Sequence, residues 1–329
     1  MRAKSFIVLA VVTALAVIAA FALRPPPPMV VAGVGEKVFA ELPARLDAVA
    51  MVRLTGPDGV ITLERGESGW TIRERGGYPA SLEKLRGVIL ALLDLERAEP
   101  KTAREEGFER LGLREGAARE LSVLDAAGAP LARILLGKTV HGLGGETSQF
   151  IRVAGEERAW LVRGHVDVGT EARDWIDRRL IDVPAGEVKR LHIVRPDGTT
   201  LTLRREAAQA PAVTLAEIAP GKRPKRPEGL ASLISTFTPL DADDVRPAAD
   251  VAAGGPTGRI ELVTFDGRTL NFVLLERDGE RWLQPIDGVR PPGVAGEWAY
   301  RVPGWKIDPL LRSVADLVED DPGPDATPR

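Results

Sequence analysis

A chain of 329 residues that is 44% hydrophobic and 28% charged can bury two ordinary cores, so it is not a disordered chain. Arg2, Lys4 and Arg24 are the only charges ahead of Glu36, which leaves 41 basic against 47 acidic residues downstream. That acid excess excludes a nucleic-acid binder, which needs a basic face for phosphates. The absence of cysteine excludes disulfides, thiolate metal sites and lipid attachment through a cysteine.

Phe6 to Leu23 is apolar apart from Thr13. As a helix it would span about 27 Å, near the thickness of a bilayer's hydrocarbon core. Arg2 and Lys4 precede it, which keeps the N-terminus cytoplasmic and sends the rest of the chain across the membrane. The alternative is a cleaved signal peptide, with Ala20-Phe21-Ala22 as the small-x-small site. The length of the run and the prolines just after it favour an uncleaved signal-anchor. Pro25 to Pro28 then form a stiff polyproline II spacer.

The chain repeats itself once, at an offset of 139 residues. Val52 to Gly59 maps onto Leu191 to Gly198, Leu121-Ser122-Val123 onto Ile260-Glu261-Leu262, and Ile134-Leu135-Leu136 onto Val273-Leu274-Leu275. Each copy opens with two alternating strands around a Pro-Asp-Gly turn, with Val52, Leu54, Ile61 and Leu63 inward in the first and Leu191, Ile193, Leu201 and Leu203 in the second. Thr62, Glu64, Thr202 and Arg204 are expected to face water. A third strand carries Trp70 and Ile72, and Gly76-Gly77 ends it.

Next comes a helix with Ser81 as N-cap and Leu82, Leu85, Ile89, Leu92 and Leu93 as its inner stripe. Its counterpart starts after Pro227, with Leu230, Leu233, Ile234 and Phe237 inward. Hairpins over 121–136 and 260–275 follow, then Phe150–Val153 and Trp160–Val162, with Trp282-Leu283 in the equivalent place. Asp174 to Leu180 reads as a connecting helix. A last helix starts at Asp308-Pro309 and carries Leu310, Leu311, Val314, Leu317 and Val318.

The expected fold class is α+β: one N-terminal transmembrane helix, then two similar sheet-plus-helix modules with antiparallel sheets, related by internal duplication. The expected divisions are a cytoplasmic stub and anchor (1–24), a proline-rich linker (25–46), the first repeat (47–183) and the second repeat (184–290). A C-terminal segment and helix (291–319) and a disordered tail (320–329) complete the chain.

Residues that could carry chemistry are sparse. His141 lies in a glycine-rich loop, His165 follows Gly164, and His192 is on the polar face of a strand; none shares a metal-ligand spacing with another. Gly137-Lys138-Thr139 lacks the earlier glycine of a phosphate loop and reads as a strand end. Asp241-Ala242-Asp243-Asp244 lacks the Gly and Glu of a calcium loop and reads as a solvated helix-to-strand connection. No serine sits in a nucleophile elbow. These features point to a non-enzymatic protein without catalytic, metal or cofactor residues.

The residues that remain as candidate partner or ligand contacts are Lys222, Arg223, Lys225 and Arg226 of a basic loop, His141 of the loop found only in the first copy, and the aromatics Tyr78, Trp298, Tyr300 and Trp305. A basic loop can dock on anionic headgroups or an acidic partner. A cleft between the two repeats would take a glycan, lipid or peptide; the aromatics would otherwise close the core or the module interface.

Asp58-Gly59, Gly69-Trp70-Thr71-Ile72, Gly76 to Pro79, Arg110-Leu111-Gly112-Leu113, Leu135-Leu136-Gly137-Lys138 and Asp174-Trp175 occur in one order. Together they resemble the bacterial family termed domain of unknown function 4340, over most of residues 47–180 and more weakly through the second copy. The resemblance implies an auxiliary role beside the permease and substrate-binding-like subunits of gliding-type ABC transport systems. It implies no catalytic residues. The expected location is the bacterial inner membrane, single-pass through residues 6–23, with the bulk of the chain in the periplasm.

Overall fold

The computed structural model describes residues 32–142, 145–169, 171–287 and 297–321. The expected anchor at 6–23 and the spacer at 25–28 lie outside the described residues. Among the described residues no helix is long and apolar enough to cross a membrane.

The alternating pattern around Pro57-Asp58 folds as an antiparallel hairpin, β1 (Met51–Gly56) with β2 (Gly59–Gly66). Proline's fixed φ suits the first corner of so tight a turn. Beyond β2 come β3 (Gly69–Ile72) and the short β4 (Tyr78–Pro79). Ser81 caps helix α1 (Leu82–Asp94), its hydroxyl accepting from the Lys84 backbone N–H. The chain continues through β5 (Glu96–Pro100), α2 (Glu105–Leu111), β6 (Arg119–Leu124), β7 (Pro130–His141), β8 (Thr147–Val153) and β9 (Trp160–Arg163). These strands make one nine-stranded sheet in the order β4-β3-β2-β1-β6-β7-β8-β9-β5. Val52, Leu54, Leu63, Leu121, Val123 and Ile134 are wholly buried on it, each contributing about 1.5–3 kcal/mol.

The second half runs β10 (Arg179–Ile181), β11 (Val188–Val194), β12 (Thr200–Arg204), β13 (Thr214–Leu215), β14 (Lys222–Pro224) and α3 (Pro227–Phe237). It continues through β15 (Leu240–Asp241), β16 (Asp244–Pro247), α4 (Ala248–Val251), β17 (Pro256–Thr264), β18 (Thr269–Arg277), β19 (Glu280–Asp287) and β20 (Trp298–Val302). Eight of these strands form a sheet in the order β13-β12-β11-β17-β18-β19-β20-β16. The central pairings correspond: Val52 faces Val123 and Leu54 faces Leu121, while Leu191 faces Leu262 and Ile193 faces Ile260. The architecture is thus sheet-rich α+β with antiparallel pairing throughout both sheets.

Several expectations change in detail. Thr62 and Thr202 are buried rather than facing water, because an acidic side chain folds over each. Glu74 accepts from the Thr62 N–H at 2.7 Å, and Glu217 accepts from the Thr202 N–H at 2.8 Å and from the Thr200 and Thr202 hydroxyls. Burial alone pushes the Glu217 carboxyl up, but the Thr202 hydroxyl and N–H and the Thr200 hydroxyl outweigh it and hold the group below its ordinary value of 4.5. The stabilisation is therefore complete above that value and is lost as pH falls through the lower folded-state pKa. Glu217→Gln is expected to flatten the acid limb of stability against pH, measured by denaturant unfolding between neutrality and pH 3; an unchanged limb would place the acid sensitivity elsewhere.

The buried stripe of α1 is Leu85, Val88 and Leu92, and Leu82 is exposed. At 100° per residue this face is turned toward Val88, which leaves Ile89 and Leu93 on the flank. Asp174 to Leu180 is not a helix: a 3-10 turn at Ala172–Asp174 leads into β10, which pairs with β15. Gly137-Lys138-Thr139 does not end its strand, since β7 bulges there and continues to His141.

Residues of the expected linker are docked on the first sheet, with Gly35 and Val38 donating to the Arg97 and Leu95 carbonyls and Leu42 buried. The segment expected to follow the second repeat supplies β20 of the eight-stranded sheet. The single last helix is instead three short turns, α5 (Gly304–Ile307), a 3-10 turn at Asp308–Leu311 and α6 (Val314–Leu317), separated where Arg312 is extended. Val318 belongs to strand β21 (Val318–Asp320), so the tail's first residues are paired; 322–329 lie outside the described residues.

Candidate functional site

The two sheets meet at the end of β3. Gly76 takes the left-handed conformation that L side chains avoid, with φ +64°, and a Cβ there would stand 2.7 Å from the Pro247 ring. Beside it the Arg75 guanidinium forks onto Asp244 at the start of β16, with Nε 2.5 Å from Oδ1 and a terminal nitrogen 3.2 Å from Oδ2. The Asp244 side chain is 8% exposed and that of Arg75 21%. Asp244 is therefore no part of a solvated connection. Its neighbours do reach solvent, Asp241 pairing with Arg179 and Asp243 with Arg178.

The aromatics close this junction. Tyr78 and Tyr300 are buried with their hydroxyls 3.3 Å apart, and Trp298 meets Tyr78 edge to face at 5.1 Å. Burial, with Tyr300 adding to it, holds the Tyr78 phenol far above its usual range, so it stays neutral. Tyr78 and Tyr300 thus do not line an open cleft; they fill it. Trp305 lies elsewhere, 65% exposed on α5 with the Lys306 ammonium 5.3 Å from its ring.

The basic loop is partnered within the chain. Its residues 222–224 are strand β14, which pairs with β21. Lys222 meets Asp320 at 2.5 Å, Arg223 meets Glu319 at 2.9 Å, and Lys225 donates to the Asp316 carbonyl. Arg226 is exposed at the start of α3.

His141 ends β7 on an exposed hairpin with Val140 and lies 3.5 Å from the Thr147 hydroxyl. A polar pocket of about 320 Å³ beneath it brings in His165 from the segment after β9, together with Arg119 and Asp167. Gln149 organises this pocket from a buried position, donating to the Gly137 carbonyl and accepting from the Val166 N–H. His192 is remote on the second sheet, 2.8 Å from the Thr202 hydroxyl. Among the described residues no three His, Asp or Glu side chains are grouped to hold a metal ion.

A second cavity was not anticipated. About 400 Å³ of apolar groove runs along the free flank of α1, floored by Val49 and Val52, with Trp70 on one side and Ile89, Leu90 and Leu93 on the other. Arg65 and Arg86 also line it. The sequence carries one signal for it: Leu90 is apolar yet falls off the inner stripe, and it is 60% exposed.

No curated protein and no solved structure matches this chain. The family described as domain of unknown function DUF4340 matches over residues 70–257, from the Trp70 strand through α3 to the start of β17, more than half of the sequence. The chain belongs to that family.

Proposed function

We propose that this protein is a non-enzymatic, membrane-anchored periplasmic accessory subunit of an ABC-type, gliding-type transport complex, built from a duplicated sheet-plus-helix unit. The observation that carries the reading is the filled junction between the sheets. Arg75–Asp244 and the Tyr78, Trp298 and Tyr300 cluster join the two units through their own side chains, which leaves recognition to outer surfaces. The hairpin bearing Val140 and His141 and the exposed Trp305 are two such surfaces. Family membership supports the reading, and the apolar run at 6–23 supplies the anchor. The permease or the substrate-binding-like subunit is the expected partner.

A photo-crosslinking amino acid at Val140 or Trp305, activated in cells, is expected to capture a transporter subunit identified by mass spectrometry. Capture of none from either position, with the protein present in the membrane fraction, would count against the accessory role. The ligand-binding alternative in the inter-repeat cleft is left without Tyr78 and Tyr300 as open wall residues, because both are buried with their hydroxyls in contact.

A further inference from the structure

The flank of the helix that forms the groove along α1 is built differently in the two units. In both units an arginine stands at the end of the second strand in a comparable place: the Arg65 N–H donates to the Ala50 carbonyl and the Arg205 N–H to the Lys189 carbonyl, each at 2.9 Å. Each side chain also reaches a carbonyl ahead of the first strand, Arg65 that of Asp47 and Arg205 that of Ala185. Their surroundings differ. In the second unit the chain from Arg205 to Val213 folds back, Gln209 donating to the Gly186 carbonyl and to Glu187, and Arg205 is only 7% exposed. In the first unit Glu67-Ser68 is a tight turn, no such cover forms, and Arg65 is exposed.

The helices differ in step. Superposing Leu85, Ile89 and Leu92 on Leu230, Ile234 and Phe237 puts Ala231 and Ser235 where α1 has Arg86 and Leu90. The first unit thus keeps an open apolar trough and adds a large apolar side chain and a second cation to its rim. Neither cation is neutralised. Arg65 has a carbonyl at 3.4 Å as its partner, and Arg86 has no hydrogen bond or ion pair among the described residues. An uncovered apolar surface with two unpaired guanidiniums suits a ligand with an apolar tail and an anionic head. At about 400 Å³ the groove is near the lower end of ligand pockets, which run from about 300 to 1,000 Å³. That is room for one chain rather than two.

We infer that this groove binds a single-chain fatty carboxylate, the tail lying along Ile89, Leu90 and Leu93 and the carboxylate meeting Arg65 and Arg86. The inference stands apart from the transporter reading and does not need it.

The test uses the full chain in nanodiscs of zwitterionic phosphatidylcholine, with a diazirine-bearing palmitic acid as photoprobe and labelled peptides mapped by mass spectrometry. Labelling is expected within residues 42–52, 65–70 and 82–94, the segments that line the groove, with unlabelled palmitate competing at least about tenfold better than hexadecanol of equal chain length. Phosphatidylglycerol and inorganic phosphate are expected to compete weakly, since one is too large and the other has no tail. Arg65→Gln with Arg86→Gln should weaken labelling about tenfold or more at unchanged thermal unfolding, both side chains being exposed. Equal competition by hexadecanol, labelling spread outside these segments, or an unaffected double variant would each overturn the proposal.

Discussion

Asp244→Ala is expected to destabilise the folded chain by about 3 kcal/mol, read as a lower denaturant midpoint in urea. The carboxylate is 8% exposed and takes a two-point contact from Arg75. It also accepts from the Val245 N–H at 2.8 Å. Its removal leaves a guanidinium 21% exposed without its counter-charge, which costs more than losing a surface pair. Exposed pairs are worth about 0–1 kcal/mol, so Arg179→Ala, which frees the half-exposed Asp241, is expected to fall in that range. Replacing both members of the buried pair, Arg75→Met with Asp244→Leu, should recover much of the loss, since no uncompensated charge remains. A loss below about 0.5 kcal/mol for Asp244→Ala would show that water reaches the junction freely.

Trp175→Ala is expected to be costlier, about 4 kcal/mol, and enough to leave the chain marginal at physiological temperature. The indole is wholly buried, and its N–H donates to the Gly169 carbonyl at 2.7 Å. Its own carbonyl receives the Ser81 N–H at 2.6 Å, so the same residue holds the capping residue of α1. Trp175→Phe retains most of the ring and gives up the indole hydrogen bond; a loss nearer 1–2 kcal/mol is expected. Equal losses for the two variants would mean that the hydrogen bond, and not the volume, governs this site.

What could be read beforehand follows from the range over which each signal acts. The β1–β2 and β11–β12 hairpins, the Ser81 cap and the apolar face of α3 are set by neighbours a few residues apart, and they are where the patterns put them. The face of α1 was legible only to within part of a turn, because Ile89, Leu90 and Leu93 supply more apolar surface than one buried stripe needs. Asp244 was read as solvated because an acidic run normally is; only its meeting with Arg75, far away in the chain, gives it a buried role. Lys222 and Arg223 read as a basic loop open to an outside anion, whereas their partners lie far along the chain, Glu319 at the end of the expected C-terminal helix segment and Asp320 at the start of a tail whose composition suggests disorder. Tyr78 and Tyr300 illustrate the same limit: composition marks them as valuable but not whether they face a ligand or each other.

The junction between the sheets also sets an order of events during synthesis. Arg75 waits 169 residues for Asp244, and Tyr78 waits 222 residues for Tyr300. Until residue 244 has left the ribosome the β3–β4 edge of the first sheet presents a cation without its counter-charge, and until residue 300 an unburied aromatic ring. Contacts of such long separation slow folding, and the exposed edge in the interval is open to pairing with other chains. A nascent chain halted before residue 244 therefore carries a first sheet that is complete in its strands and unprotected along one edge.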